Sequence, residues 1–175
     1  MGDGASFERI YREHSSAVFR FALRRVGAAG AQDAVAETFL VAWRRQDEIV
    51  GDPLPWLLGV ARRVCANQLR GRTRQAALGE RIAASGTDSV ALESSDVLAP
   101  ALQALRELSV RDREVLMLVA WDGLTNAQAA AVVGCSVATF AVRLHRARRR
   151  LARRMGGELS SVKSNGLDPE GAVAP

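Results

Sequence analysis

Arg143, Arg146, Arg150 and Arg153 recur at i, i+3, i+7 and i+10 and share one face of a helix. Guanidinium forks in such a row hold phosphate oxygens and can reach the edge of a guanine. The same segment carries Phe140, Leu144, Ala147 and Leu151 at i, i+4, i+7 and i+11, an apolar stripe for packing. Ser136 and Thr139 place short hydrogen-bonding side chains where a reading helix meets base edges. A stripe of arginines alone describes a solvated helix end equally well. The preceding residues tip the balance. Thr125 and Gln128 have the spacing of a capping box and open a short helix over 126–133, in which Ala129, Ala130 and Ala131 let another helix cross closely. Gly134 stands where a tight turn needs a positive φ. Ser136 then caps a helix from Val137 to about Arg154. A short helix, a glycine turn and a capped second helix form a helix-turn-helix, and with the arginine stripe they favour DNA binding.

Other chemistries lack their residues. The chain has no phosphate-cradling glycine loop, no metal-ligand cluster and no nucleophile paired with a histidine motif. His14 and His145 fit the helical patterns around them, and Cys65 and Cys135 read as small buried hydrophobes without metal-ligand spacing. No catalytic residue, cofactor or metal is expected. Apolar residues make up 48% of the 175 and charged residues 25%, a globular composition. No stretch approaches the ~20 apolar residues of a membrane span. Residues Met1 to Glu8 lack the basic-then-apolar order of a signal peptide, so a cytoplasmic location is expected.

Charge divides the chain. Residues 1–74 carry net +4, 75–98 net −3, 99–155 net +6 and 156–175 net −2. Two basic bodies separated by an acidic segment suggest a polyanionic partner. An arginine-preferring genome explains why Lys163 is the single lysine, but not why the arginines cluster.

The elements that position these groups read as helices. Phe7, Ile10, Tyr11, Val18, Phe19 and Leu23 fit one face of a helix from about Ser6 to Val26, which Gly27, Gly30 and the alanines between them break. A second helix is expected from about Gln32 to Arg45. A loop is expected over Asp47–Pro55, because Pro53 and Pro55 disfavour helix before them, and a third helix from about Trp56 to Arg72. Ala83 to Ser89 reads as linker, after a helical extension. Leu98, Leu102, Leu105 and Leu108 resume the pattern. Ser109 caps a helix that ends at Asp122-Gly123, and the tail from Gly156 reads as disordered. The expected fold is all-α: two small helical domains, 6–74 and 98–155, joined by a flexible acidic linker over 75–97, with the helix-turn-helix in the second and a disordered tail over 156–175. No internal repeat is visible.

Several segments in order carry a family resemblance. Residues 7–14 (FERIYREH), 33–44 (DAVAETFLVAWR) and 56–63 (WLLGVARR) resemble the second domain of extracytoplasmic-function sigma factors. Residues 108–116 (LSVRDREVL), 123–125 (GLT) and 139–148 (TFAVRLHRAR) resemble their fourth domain. The likeness covers about residues 6–155. It implies an RNA polymerase sigma factor that directs promoter-specific initiation of a stress or envelope regulon. It implies core polymerase as partner, through the coiled coil of the largest subunit and the flap, together with promoter DNA and an anti-sigma factor. By matched position, Asp33, Glu37, Thr38, Phe39 and Trp43 would dock on the coiled coil, with Phe39 read rather as core. Arg62, Arg63, Asn67 and Arg70, on one broad polar face, would serve the minus-10 element. Ser136, Thr139, Val142, Arg143, Arg146 and Arg150 would serve the minus-35 element. Trp56 is read as packing the helix start. The acidic linker is either a filler of a basic polymerase channel or a solvated tether. The chain departs from the family pattern at Gly59, Arg63, Phe140 and Ala141, which bears on promoter preference and not on fold. The rival reading is a stand-alone helix-turn-helix regulator, which would leave residues 6–72 without a purpose and lacks a heptad helix for dimerisation.

Overall fold

A computed structural model describes residues 4–78 and 99–164. Among the described residues there are seven α-helices, one 3-10 turn and no strand. Most of the expected linker, and the tail beyond Ser164, lie outside them.

The N-terminal unit packs three helices: α1 (Gly4–Val26), α2 (Ala28–Arg44) and α3 (Pro53–Leu78). Each turns an apolar stripe inward. Val18 and Phe21 of α1 meet Phe39 and Ala42 of α2 and Leu57, Leu58 and Ala61 of α3, and Ala22 meets Ala34 and Cys65 in a second cluster, all at most 4% exposed. Phe21, Leu57 and Leu58 are among the largest fully buried side chains, each worth roughly 1.5–3 kcal/mol on burial. Small residues set the closeness of the helices, since Ala22, Ala31, Ala34 and Ala42 are 0% exposed.

Two boundaries differ from the sequence expectation. Gly27 alone breaks the chain, at φ 74, and α2 begins at Ala28. Gly30 lies buried inside α2, where an added Cβ would stand 2.6 Å from Nη2 of Arg72. Its glycine serves helix packing, not a break. The expected loop over Asp47–Pro55 contains a 3-10 turn (Gln46–Glu48), and α3 starts at Pro53. Both prolines occupy the first helical turn, where their missing N–H groups have no intrahelical partner to lose. Oδ1 of Asp52 accepts from the Leu54 N–H at 3.1 Å and so caps that turn.

The C-terminal unit comprises α4 (Ala99–Arg106), α5 (Val110–Ala120), α6 (Asn126–Val133) and α7 (Val137–Ser164). Ser109 caps α5 by accepting from the Asp112 N–H at 3.1 Å. α7 extends past Arg154 through Gly156-Gly157 to Ser164. That corrects the reading of disorder from residue 156 over its first nine positions. Extending a formed helix needs no new nucleus, so two glycines at about 1 kcal/mol each do not stop it. The apolar cluster of the first unit continues through Leu105, Leu116, Leu118, Leu124, Ala129, Val132, Phe140 and Leu144, and the units meet where α3 crosses α6.

Candidate nucleic-acid interface

The helix-turn-helix forms as its caps dictate. Thr125 Oγ1 accepts from the Gln128 N–H at 3.2 Å, and Gln128 Oε1 accepts from the Thr125 N–H at 2.9 Å. This reciprocal pair is a capping box. Gly134 closes α6 at φ 72, ψ 46, in the left-handed region. Ser136 Oγ accepts from the Thr139 N–H at 3.2 Å and opens α7. With both ends fixed, α7 presents two faces. Phe140 and Ala147 are 0% exposed and Leu144 4%. Ser136, Thr139, Val142, Arg143, Arg146 and Arg150 are all exposed, so the expected minus-35 set shares one outward surface. Arg150 is held there by Asp112 Oδ2 at 2.6 Å, and Arg154 by Glu107 Oε2 at 2.6 Å.

The expected minus-10 set divides. Arg63, Asn67 and Arg70 are exposed on α3 at i, i+4 and i+7, and Asn67 accepts from Arg70. Arg62 does not join them. Its Nε and Nη2 donate to the two carboxylate oxygens of Glu114 at 2.7 and 3.0 Å, across the seam to α5. Those hydrogen bonds raise its pKa. The single broad face expected from the spacing is therefore a three-residue stripe plus one inward arginine. Adjacent residues differ by a 100° turn, so the neighbouring element decides which of Arg62 and Arg63 stays in solvent.

The α2 set divides in the same way. Asp33 and Glu37 are exposed, and Trp43 is 48% exposed. Leu40, expected from the sequence to be available for packing, is instead 48% exposed on the same stripe at i+7 from Asp33. Thr38 and Phe39 face inward at 0% and 4% exposure. The Thr38 hydroxyl donates to the Ala34 carbonyl at 2.6 Å, and the ring of Phe39 meets Tyr11 edge-on at 4.7 Å. These two lie beneath the outward face of α2 and do not form its surface. Phe7 packs edge-on against Trp43 at 4.9 Å and fixes that ring at the rim. Trp56 packs at the start of α3 against the core, as the sequence suggested.

Acidic partners of the arginines were not legible in the sequence. Arg24 pairs with Asp122, with side chains only 14% and 5% exposed. Burial lowers the Arg24 pKa, with Arg20 acting in the same sense. Arg25 lies over the Phe21 ring at 3.3 Å and, buried, has its pKa lowered to about 10. Cys65 is buried with its thiol pKa pushed up by desolvation, while Cys135 is half-buried. Among the described residues, no group of three or more His, Cys, Asp or Glu is placed to hold a metal ion. No single described helix is long and apolar enough to cross a membrane. A bent pair, Asn126–Val133 with Val137–Gly156, meets that test by length and composition, and it is the helix-turn-helix, whose apolar face is buried.

Comparison with known proteins agrees with this geometry. Residues 10–75 match the sigma-70 region 2 family and residues 98–151 the sigma-70 region 4 family. The ECF RNA polymerase sigma factor SigL of Mycobacterium tuberculosis is 33% identical over 162 residues, covering 85% of this chain and 88% of the relative. The ECF RNA polymerase sigma factor BldN of Streptomyces coelicolor is 34% identical over 163 residues, covering 87% of this chain and 61% of the relative. Among solved structures, the sigma factor RpoE of Bartonella quintana, in complex with the anti-sigma factor NepR, superposes with a TM-score of 0.62 at 28% identity, covering 86% of this chain and 97% of that one. Two sigma-70 regions in order, on a helical scaffold whose second unit carries a capped helix-turn-helix, show that this chain belongs to the ECF RNA polymerase sigma factor family.

Proposed function

We propose that this chain joins RNA polymerase core and carries it to promoters as a bivalent clamp. α7 reads the minus-35 duplex. Ser136, Thr139 and Val142 face the bases near its N-terminus, Arg143 reaches a base edge or phosphate, and Arg146 and Arg150 hold the backbone. The exposed stripe Arg63, Asn67 and Arg70 serves the minus-10 region, where a melted strand must be neutralised and its bases held. Asp33, Glu37, Leu40 and Trp43 dock on the polymerase coiled coil: two carboxylates for basic residues and two apolar anchors. The domain assignment is 6–74 for the first unit, 98–155 for the second and 75–97 for the acidic connection. Neither unit alone holds DNA tightly at physiological salt, and the polymerase raises the effective concentration of the second contact. The reading places the protein in the cytoplasm with the polymerase, as a non-enzymatic factor. Relatives of this fold are solved with anti-sigma partners, which supports an anti-sigma factor as a regulator here. The division of α7 carries the reading: Phe140, Leu144 and Ala147 are sealed inside, while Arg143, Arg146 and Arg150 point out.

Run-off transcription on genomic fragments tests this, using core polymerase with and without the chain. Promoter-specific transcripts that need the chain and vanish with Glu37→Arg or Arg143→Ala are expected. Tight sequence-specific DNA binding without any stimulation would sink the proposal in favour of a stand-alone regulator.

A further inference from the structure

The end of α7 that is proposed to meet the bases is nearly bare of hydrogen-bonding groups. Its first six residues, Val137–Val142, include one polar side chain, Thr139. The Thr139 and Ser136 hydroxyls bond to each other at 2.8 Å, and Ser136 Oγ also accepts from the Thr139 N–H. Of their two O–H groups, one is left to meet a base. Ala138 and Ala141 offer only methyl groups, and the guanidinium groups begin at Arg143.

Val142 stands at the crest of this end. Successive residues turn by about 100°, so Val142 lies about 160° round the helix from both Phe140 and Leu144, which are sealed at 0% and 4% exposure. It therefore points away from its own unit, and it is 50% exposed. Ala138 lies one turn back on the same side and Arg146 one turn ahead, whereas Arg143 stands about 100° to one flank. Helix formation does not explain a valine here, because its branched side chain makes it a poorer helix former than alanine. When such a helix lies in a major groove, the side turned from its own domain meets the groove floor. That floor presents hydrogen-bonding atoms and one apolar substituent, the 5-methyl group of thymine. Against other base pairs the isopropyl group of Val142 would desolvate donors and acceptors and return no hydrogen bond. Against thymine it buries methyl on methyl.

We propose that Val142 selects a thymine in the minus-35 element by packing on its 5-methyl group, with the Ala138 methyl closing the same contact from one turn back. The inference rests on the minus-35 role proposed above for α7 and deepens it. Base selection at this position is then a matter of apolar surface, while Arg146 and Arg150 supply phosphate contacts that are indifferent to sequence.

Uracil provides the test, because it pairs as thymine does and lacks only that methyl group. Core polymerase and the full-length chain are assembled on a promoter found by run-off transcription. Each thymine of its minus-35 duplex, on either strand, is replaced in turn by uracil, and competition binding at fixed salt gives the relative affinities. One position is expected to lose about fourfold with uracil, the worth of burying one methyl group. With Val142→Ala, that position is expected to bind thymine and uracil alike. Val137→Ala removes an equally exposed valine about 140° round the helix and is expected to keep the fourfold loss. Thermal unfolding followed by circular dichroism verifies that both variants are folded. A minus-35 element without thymine, or a wild-type chain indifferent to uracil at every thymine, overturns the proposal. So does a uracil effect that Val142→Ala retains or that Val137→Ala abolishes. Failure of the sigma function shows separately, as absence of run-off transcripts. The same uracil scan then runs on a duplex selected from a random pool by the chain alone, and a chain that selects none overturns both proposals.

Discussion

Gly30 is the third residue of α2, inside its first turn, where glycine weakens a helix by up to about 1 kcal/mol relative to alanine. Its surroundings say what that weakness accommodates. An added Cβ would stand 2.6 Å from Nη2 of Arg72, 3.0 Å from Oε1 of Gln68 and 3.2 Å from Cβ of Val26. Nη1 of the same Arg72 donates to the Val26 carbonyl at 2.9 Å, one of the acceptors that the end of α1 leaves open. Gly30→Ala should therefore gain about 1 kcal/mol in helix propensity and lose more by dislodging the guanidinium. A hydrogen bond from a charged donor is worth about 1.5–3 kcal/mol, and the lower end applies because Arg72 is largely in solvent. The expected net effect is a loss of about 0.5 kcal/mol. In an Arg72→Ala background the closest obstruction and the bond are both gone, only the looser approaches to Gln68 and Val26 remain, and the same substitution should stabilise by about 0.5–1 kcal/mol. Equilibrium urea unfolding of the four proteins, followed by far-ultraviolet circular dichroism, measures the cycle. The expected coupling of about 1–1.5 kcal/mol exceeds the 0.3–0.5 kcal/mol scatter of independent sites. An equal effect of Gly30→Ala in both backgrounds would show that Arg72 is not the neighbour that demands glycine, and the packing argument would fall.

Gly134 is the opposite kind of glycine. It sits at φ +72 with nothing within 4 Å of an added Cβ, so Gly134→Ala should cost about 1–2 kcal/mol through backbone conformation alone, and Gly134→Asn visibly less. Chemical denaturation ranks the three, and alanine and asparagine costing the same would refute a left-handed requirement. On α2 the inward and outward residues should separate in run-off assays with core polymerase. Thr38→Val removes a buried hydroxyl whose acceptor keeps its own helix bond, and should leave transcription unchanged, whereas Trp43→Ala should lower it several-fold through loss of an aromatic anchor. Equal losses from both would place Thr38 back among the contact residues.

The sequence was most legible where local chemistry decides local structure. The bounds of α6, the box of Thr125 and Gln128, the left-handed Gly134 and the two faces of α7 all follow from residues within a few positions of one another. Caps and turns act over one helical turn, so a linear reading contains their physics. The apolar stripes of α1 to α3 were legible for the same reason. From the sequence Pro53 and Pro55 read as loop, because a proline opposes helix behind it but not ahead, and the side on which α3 begins depends on the Asp52 cap. Gly30 reads as a breaker in the sequence because what fills the space above it, Arg72, is more than forty residues away.

By itself the sequence determined the helices, their inward faces, the turn that aims α7 and the arginine row that α7 displays. All of these are encoded at i, i+3 and i+4. The tertiary structure alone decided which member of each adjacent pair meets solvent. Arg62 turns to Glu114 while Arg63 stays free, and Thr38 sinks beside Glu37 while Leu40 remains outside. Helical spacing fixes the angle between neighbouring side chains, but the choice between them belongs to whichever element packs alongside. The carboxylates that bind Arg24 and Arg62 come from the far half of the chain, where no local rule reaches.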